Sequence, residues 1–136
     1  MDFQHDLDNL AEAIYFESRS EPVACQIILA QTILNRVKQD RFGDTIKEVI
    51  HQRKRINGKW VCQYSYYCDN KPEVKADFSA ELVAYQVSSM VLLDEVPDLS
   101  EGADHYYAYK KVDPNWSKYM KNTFVCGDHI FGTLTW

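Results

Sequence analysis

Apolar residues recur at helical spacing in the first part of the chain. Leu7, Leu10 and Ile14 follow one another at steps of three or four, and Glu17 is the next position on the same stripe. This spacing places the side chains on one face of an α-helix, which packs against a core. The pattern predicts a first helix that ends at Phe16 or Glu17, with a carboxylate on its core-facing stripe.

The same periodicity predicts two further helices. The second restarts at Pro22, which we expect at the first helical position because its missing N–H is harmless there. Its apolar stripe comprises Val23, Ile27, Ala30, Leu34 and Val37. A later helix, from Asp77 or Ser79 to about Leu93, is apolar around so much of its circumference that we expect it to be central. Phe78, Leu82, Tyr85, Ser89 and Leu92 share one face of this helix, and Val83, Val87, Met90 and Val91 widen its apolar surface.

Capping signals place several helix ends. Asp6 or Asp8 can cap the first helix, because a carboxylate accepts hydrogen bonds from the free amides of the first turn. Thr45 and Glu48 match a capping box that opens a short helix. Arg36 falls in the last turn of the second helix, where a cation suits the helix dipole.

Strands are predicted only as short local elements. Asn57-Gly58 is the favoured two-residue turn of a hairpin, and Gly127-Asp128 between apolar residues is a second hairpin signal. Residues 104–109 form a short strand-like run. Helices that carry most of the core, together with local hairpins, are typical of an α+β domain.

Glu17 is the residue that conflicts with its own pattern. A polar group on a core-facing stripe often marks a functional site. Partial burial and the negative end of the helix dipole would both raise the pKa of Glu17, as a proton donor near neutral pH requires. The alternative is a solvated glutamate in a last helical turn, paired with Arg19.

Length and charge narrow the classes of protein. The 136 residues suit one domain with one core. The formal net charge is −5 at pH 7, and basic residues cluster only in Gln52-Arg-Lys-Arg-Ile56, which we interpret as a solvated turn. This balance argues against a nucleic-acid-binding protein. Nine tyrosines and three tryptophans offer flat apolar faces with polar tips, which suit sugar rings as well as cores.

The N-terminus and the cysteines bear on the cellular compartment. The chain starts Met-Asp-Phe-Gln-His-Asp, which lacks the features of a signal peptide, and no apolar run is long enough to insert into a membrane. Without a secretory signal, cysteines are expected as reduced thiols. Cys25 is then a small core residue, and a bridge between Cys62 and Cys68 is left open. No pair has zinc-knuckle spacing, so we expect neither a metal nor another cofactor.

Six segments carry motifs that occur in the same order in one known family. They are Ala11-Glu-Ala-Ile-Tyr-Phe-Glu-Ser-Arg-Ser-Glu-Pro22, Ile33-Leu-Asn-Arg-Val37, Val61-Cys-Gln-Tyr-Ser65, Ala103-Asp-His-Tyr-Tyr-Ala108, Pro114-Asn-Trp116 and Gly127-Asp-His129. Together they resemble the spore cortex-lytic (SleB/CwlJ-type) cell-wall hydrolase family. The resemblance implies a lysozyme-like, mostly helical single catalytic domain over residues 1–136, with small β-hairpins lining a cleft.

The resemblance also implies cleavage of the glycan strands of peptidoglycan. Family members include lytic transglycosylases with a single essential glutamate, which corresponds to Glu17. Protonated Glu17 would donate to the glycosidic oxygen between N-acetylmuramic acid and N-acetylglucosamine, and its carboxylate would then take the proton of the muramic acid 6-hydroxyl, closing a 1,6-anhydro ring. The predicted substrate-binding residues are Glu21, Gln63, Tyr64, Ser65, His105, Tyr106, Tyr107, Trp116 and His129.

Three alternatives stay open at this point. A muramidase would hydrolyse the same bond with a second carboxylate, drawn from Asp69, Asp104 and Glu21. A zinc amidase would cut the lactyl-peptide bond, with ligands drawn from His105, His129, Cys126 and Asp104. A non-catalytic wall-binding module would use its tyrosines as sugar platforms.

A compact wall-cleaving domain without a leader also resembles a bacteriophage endolysin. This resemblance implies synthesis in the host bacterial cytoplasm and release to the wall or periplasm at lysis, through a membrane lesion made by a holin. The expected partner is the peptidoglycan glycan strand, with neither nucleic acid nor membrane insertion, and the expected state is a monomer.

Overall fold

Four α-helices and five short β-strands form the part of the chain that the structure describes. This computed structural model describes residues 2–69 and 75–135, apart from the side chains of residues 40 and 65. The helices are α1 (Phe3–Ser18), α2 (Val23–Val37), α3 (Ile46–Ile50) and α4 (Phe78–Leu92). The strands are β1 (Arg53–Ile56), β2 (Lys59–Cys62), β3 (His105–Tyr107), β4 (Lys121–Cys126) and β5 (His129–Thr133). Short 3-10 helices cover Asp40–Phe42, Ser65–Cys68 and Asn115–Tyr119.

The first helix begins earlier than its predicted caps. Asp2 is the N-cap, and its carboxylate accepts a hydrogen bond from the backbone N–H of His5 at 3.2 Å. The prediction of Asp6 or Asp8 as the cap is therefore wrong, since both lie inside the helix. The predicted stripe is confirmed at its centre, where Leu10 and Ile14 are fully buried.

The second helix, rather than α4, is the most enclosed one. Ten residues of α2 are buried, and the helix packs against α1, α3 and α4. Ile27 and Ala30 are buried as predicted, but Val23 is 47% exposed. Burial extends around this helix because neighbours surround it, so a single stripe does not describe it. Pro22 is the N-cap with an extended backbone, rather than the first helical residue.

The fourth helix buries only part of the apolar surface predicted for it. Phe78 is 70% exposed and Leu82 is 50% exposed, while Ala84, Val87 and Ser88 are buried. The buried face of α4 packs against α1 and α2, and it includes Val87 and Val91 from the predicted wider apolar surface. The expectation of an apolar face through Phe78 and Leu82 in the core is wrong.

Both predicted hairpins are present, and the α+β prediction is confirmed. β1 and β2 pair around Asn57-Gly58, where both residues have positive φ. β4 and β5 pair around Gly127-Asp128. β5 also pairs with β3, so the three C-terminal strands form one antiparallel sheet in the order β3-β5-β4. No helix in the described part of the chain is long and apolar enough to cross a membrane.

Two disulfides correct the prediction of reduced thiols. Cys25 at the start of α2 is bonded to Cys126 at the end of β4, across a sequence separation of 101. Cys62 at the end of β2 is bonded to Cys68, six residues later. The first bridge joins the helical core to the C-terminal sheet. Local spacing could not reveal it, because only the fold brings these two residues together.

Candidate active site

A cleft of about 730 Å³ opens where the end of α1 meets the C-terminal sheet. Its walls come from the α1–α2 connection, the end of β2, the strand β3 and the loop after it, the last 3-10 helix, and the β4–β5 turn. The polar and aromatic residues that line it are Phe16, Glu17, Ser20, Glu21, Gln63, Tyr106, Tyr107, Lys110, Lys111, Trp116, Asp128 and His129.

Glu17 stands at the inner end of this cleft, in the last turn of α1. The hydroxyl of Tyr106 donates a hydrogen bond to its Oε1 at 2.6 Å. Burial raises the pKa of Glu17, and this effect outweighs the Tyr106 hydrogen bond and the nearby His129 and Arg36, which lower it. A carboxyl group with a raised pKa keeps its proton at higher pH, which suits a general acid.

The alternative pairing of Glu17 with Arg19 is wrong. The guanidinium of Arg19 donates to the hydroxyl of Tyr15 at 2.8 Å and lies over the ring of the same tyrosine. Tyr15 itself is fully buried. Arg19 therefore belongs to the outer side of α1, and Glu17 is left to interact with the sheet across the cleft.

Tyr106 connects the sheet to Glu17. It lies on β3, with its ring centroid 5.3 Å from that of His129 and 5.7 Å from that of Phe131. Burial, followed by the charge of Glu17, raises the pKa of Tyr106 well above its ordinary value. The phenol therefore stays a hydrogen-bond donor at any physiological pH, and it holds the Glu17 carboxyl in one orientation.

Glu21 binds the β4–β5 turn instead of standing free in the cleft. Its Oε1 accepts hydrogen bonds from the backbone N–H of Asp128 at 2.8 Å and from Nδ1 of His129 at 2.9 Å. The side chains of Glu21 and His129 are only 6% and 10% exposed. Glu21 therefore holds the β4–β5 turn, and its predicted contact with substrate stays a prediction.

The β4–β5 turn needs a glycine at this contact. Gly127 has φ of +60°, and a Cβ added there would lie 2.8 Å from Oε1 of Glu21. The neighbouring residue Cys126 is bridged to Cys25, four positions after Glu21. The turn that carries His129 is thus fastened to the start of α2 by both a disulfide and a carboxylate.

Arg36 lies in the last turn of α2, as predicted, and its side chain is fully buried. Its Nε donates to the backbone carbonyl of Asp104 at 2.6 Å, and its guanidinium lies over the rings of Phe42 and Tyr64. The signal available was its place in the segment Ile33–Val37, one of those that carry the family resemblance.

The remaining predicted binding residues divide into two groups. Gln63, Tyr107 and Trp116 line the cleft with Tyr106 and His129, and their contacts with substrate stay predictions. Tyr64 does not line it. Its side chain is fully buried in the core, so it cannot stack on a sugar ring, and its prediction as a cleft residue is wrong.

Ser65 and Asp69 flank the same segment. The backbone of Ser65 starts a 3-10 helix, and its side chain is outside the described residues. Asp69 follows that helix as its cap, and it is absent from the described lining of the cleft.

His105 lines a neighbouring pocket rather than the Glu17 cleft. Its Nδ1 lies 2.9 Å from Oδ1 of Asp104, and its ring contacts Phe42 and Trp116 edgewise. Burial lowers the pKa of His105, although the Asp104 hydrogen bond opposes this. The imidazole is therefore neutral at pH 7.

The carboxylate of Asp104 accepts hydrogen bonds from several groups of the protein. Burial raises its pKa, but hydrogen bonds from His105, Gln39 and the backbone N–H of Leu134 outweigh burial and hold the pKa below its ordinary value. Arg41 also donates to it at 3.3 Å. A carboxylate with this many donors is a poor general base, which weakens its candidacy as the second carboxylate of a muramidase.

One of the candidate zinc ligands of the amidase alternative is not available to bind a metal. Cys126 is bridged to Cys25 and has no thiolate to offer a metal. Within the described residues, no three His, Cys, Asp or Glu side chains converge in a metal-binding group.

Curated relatives share much of this sequence. A spore cortex-lytic enzyme of Bacillus cereus is 43% identical over 130 residues, which cover 94% of this chain and 44% of that protein. One from Halalkalibacterium halodurans is 25% identical over 129 residues, which cover 93% of this chain and 34% of that protein. The chain thus spans less than half the length of these relatives.

Two solved structures share the fold. The catalytic domain of the germination-specific lytic transglycosylase SleB from Bacillus anthracis superposes with a TM-score of 0.72 at 23% identity, covering 97% of both chains. The SleB catalytic domain of Bacillus cereus gives 0.69 at 24% identity, covering 96% of this chain and 91% of that one. These likenesses confirm the lysozyme-like fold class.

The sequence profile of one family matches most of the chain. Residues 20–132 match the family described as Cell Wall Hydrolase. The match includes the α1–α2 connection with Glu21, the three C-terminal strands and most of the cleft lining. This chain belongs to the cell wall hydrolase family.

Proposed function

We propose that the protein is a lytic transglycosylase that cleaves the bond between N-acetylmuramic acid and N-acetylglucosamine in peptidoglycan. The observation that carries the proposal is Glu17, a partly buried acid with a raised pKa, hydrogen-bonded by Tyr106 inside a cleft lined with aromatic residues. The similar structure from Bacillus anthracis is that of a lytic transglycosylase, which supports the same reaction.

In the first step, protonated Glu17 donates its proton to the glycosidic oxygen as the bond to the anomeric carbon breaks. Positive charge develops on the sugar in an oxocarbenium-like state. The leaving N-acetylglucosamine departs with a new hydroxyl group. Glu17 is now a carboxylate, and the hydrogen bond from Tyr106 stabilises that form.

In the second step, the Glu17 carboxylate takes the proton of the muramic acid 6-hydroxyl. That oxygen attacks the anomeric carbon and closes the 1,6-anhydro ring, while Glu17 returns to its protonated form. The nucleophile belongs to the substrate, so one carboxyl group performs both proton transfers and no water is consumed.

The surroundings of Glu17 favour this route over hydrolysis by a muramidase. The carboxylates of the described cleft lining are Glu17, Glu21 and Asp128. Glu21 is occupied by His129 and the turn amide, and Asp128 is 62% exposed and paired with Lys110 at 3.0 Å. A hydrolytic base would need to be free and to face the reacting carbon.

The products of digestion test the proposal. Purified sacculi are digested with the protein and with a Glu17→Gln variant, and the soluble products are analysed by mass spectrometry. We expect anhydro-muropeptides from the parent and a drop of about 10³-fold in their rate of release by the variant, in the range of general acid catalysis. Reducing-end muramic acid would instead establish a muramidase, and free stem peptides would establish an amidase.

We further propose that the enzyme acts in phage-driven lysis, reaching the wall from the host cytoplasm through a holin lesion. Two disulfides support work in an oxidising compartment such as the wall or periplasm. Expression in a bacterial cytoplasm with and without a holin tests this, with culture turbidity as the readout. Lysis is expected only with both proteins, and Glu17→Gln serves as the inactive control. Lysis without the holin would contradict the proposed route.

A further inference from the structure

A second pocket, of about 370 Å³, adjoins the cleft. Val61, Cys62, Gln63 and Trp116 line both of them, so the two pockets lie side by side. The second pocket is enclosed on its other sides by β1 and by the 3-10 helix Asp40–Phe42. A substituent of a glycan strand bound at Glu17 can therefore extend into it.

This second pocket is basic, in a chain whose net charge is −5. Arg41, Arg53 and Lys54 line it, and none of its described lining residues is acidic. Arg41 forms an ion pair with Asp104, in which Nη2 of Arg41 lies 3.3 Å from Oδ2 of Asp104. Neither Arg53 nor Lys54 forms an ion pair with any residue that the structure describes, so two positive charges remain to attract an anion.

The β1–β2 hairpin that carries Arg53 and Lys54 is held in place by several contacts. The guanidinium carbon of Arg53 lies 4.1 Å from the ring centroid of Trp60 across the hairpin. The backbone N–H of Gln63 donates to the carbonyl of Gln52 at 2.9 Å, just before β1. The bridge of Cys62 to the following 3-10 helix ties the hairpin to the core. The basic segment is a β-strand rather than a turn, and its strand residues are exposed to solvent as predicted. Arg53 and Lys54 at its start nevertheless line the pocket.

We propose that this pocket binds the carboxylates of the peptide stem on the muramic acid next to the cleaved bond. The proposal rests on the function proposed above. The sugar rings of a glycan strand carry only hydroxyl and amide groups, whereas the stem attached to the lactyl group carries free carboxylates. Cations beside a sugar-binding cleft fit that charge, and they would make the enzyme prefer strands that still carry their peptides.

The test compares two substrates from a Gram-negative bacterium, whose sacculi hold no wall phosphate polymers. One is the intact glycan with its stems. The other is the same glycan stripped of stems by an amidase, with the lactyl carboxylates that this cleavage exposes converted to neutral amides. The pocket variant is Arg53→Gln with Lys54→Gln. The matched control is Arg55→Gln with Lys59→Gln, which removes two positive charges from the same hairpin outside the pocket.

We expect the pocket variant to raise KM for stem-bearing strands about five- to tenfold with kcat unchanged, the size expected for two partly exposed ion pairs. Its KM for stripped strands should equal that of the parent, and the control variant should match the parent on both substrates. An equal rise on both substrates, or no rise on either, would overturn the proposal.

Cosedimentation of Glu17→Gln forms of the parent and the pocket variant with stem-bearing sacculi measures binding without cleavage, so the pocket is tested whatever the chemistry. Formation of reducing-end products by the parent would end the transglycosylase proposal while leaving the preference for stems in place. Equal cosedimentation of parent and pocket variant with stem-bearing sacculi would end the pocket proposal alone. The two failures are therefore distinguishable.

Discussion

The C-terminal sheet and the β1–β2 hairpin are both antiparallel and both fastened by a disulfide, yet they face solvent very differently. In the sheet, His105, His129 and Phe131 are buried. In the hairpin, every residue of both strands is exposed except Cys62, which is half-buried. The sheet supplies Tyr106 to Glu17, while the hairpin supplies charged side chains to the second pocket.

This contrast separates two tasks that a glycan-cleaving site must perform. Proton transfer needs groups whose pKa values are shifted by burial and whose positions are fixed by packing. Recognition of a long charged polymer needs exposed side chains that can exchange water for substrate. In the proposed reaction, the sheet packed on the helical core would serve the first task, and the exposed hairpin would serve the second.

The largest difference between the regions should appear when their disulfides are removed. Closing a loop of about 100 residues stabilises a fold by about 4.7 kcal/mol in the chain-entropy relation, and closing a few residues gives about 2 kcal/mol. We expect Cys25→Ala with Cys126→Ala to lose roughly twice the free energy of unfolding lost by Cys62→Ala with Cys68→Ala. Urea denaturation of both double variants measures this, and equal losses would contradict the contrast.

The next largest effect should distinguish glycine substitutions in the β1–β2 turn from those in the β4–β5 turn. Gly58→Ala places a side chain at φ of +78° with no atom within 4 Å, while Gly127→Ala adds a methyl group against Glu21. Each substitution should lower stability by about 1 kcal/mol from backbone strain. Only Gly127→Ala should also displace the Glu21–His129 contact. The rate at which soluble products form from sacculi should then fall about tenfold. Unchanged activity in Gly127→Ala would show that this contact does not serve the site.

A smaller and more specific effect is expected from Tyr106→Phe. The Tyr106 hydrogen bond lowers the pKa of Glu17, so its loss raises that pKa further. The active form in the first step is protonated Glu17, whose activity is lost as pH rises through its pKa. The alkaline limb of kcat/KM should therefore move to higher pH, with the maximum rate about tenfold lower from lost orientation. A limb that moves to lower pH would contradict the assigned sign.

The sequence was most informative where local spacing alone sets the structure. The stripe through Leu10 and Ile14 predicted α1 and placed Glu17 at its end. Asn57-Gly58 and Gly127-Asp128 predicted both hairpins, because a two-residue turn with positive φ has few residue choices. Thr45 was also correctly predicted as a cap, and its hydroxyl accepts from the backbone N–H of Glu48 at 3.1 Å.

Periodicity was misleading for part of α4, and the family resemblance was misleading for Tyr64, because neither shows which neighbouring surfaces a side chain meets. Phe78 was expected on the apolar face of a central helix and is exposed, because α4 packs against α1 and α2 with the face that carries Ala84, Val87 and Ser88. Tyr64 was expected in the cleft and is buried beside Arg36. Both outcomes depend on partners that are distant in sequence.

The sequence by itself determined the candidate acid, the hairpin turns and the family. Only the tertiary structure decided that Tyr106 donates to Glu17, that Glu21 holds His129, and that Cys25 meets Cys126. The physical reason is range. Helix faces and turns follow from interactions over a few residues, whereas a raised pKa and a closed cleft require groups about 90 to 110 residues apart to be buried against one another.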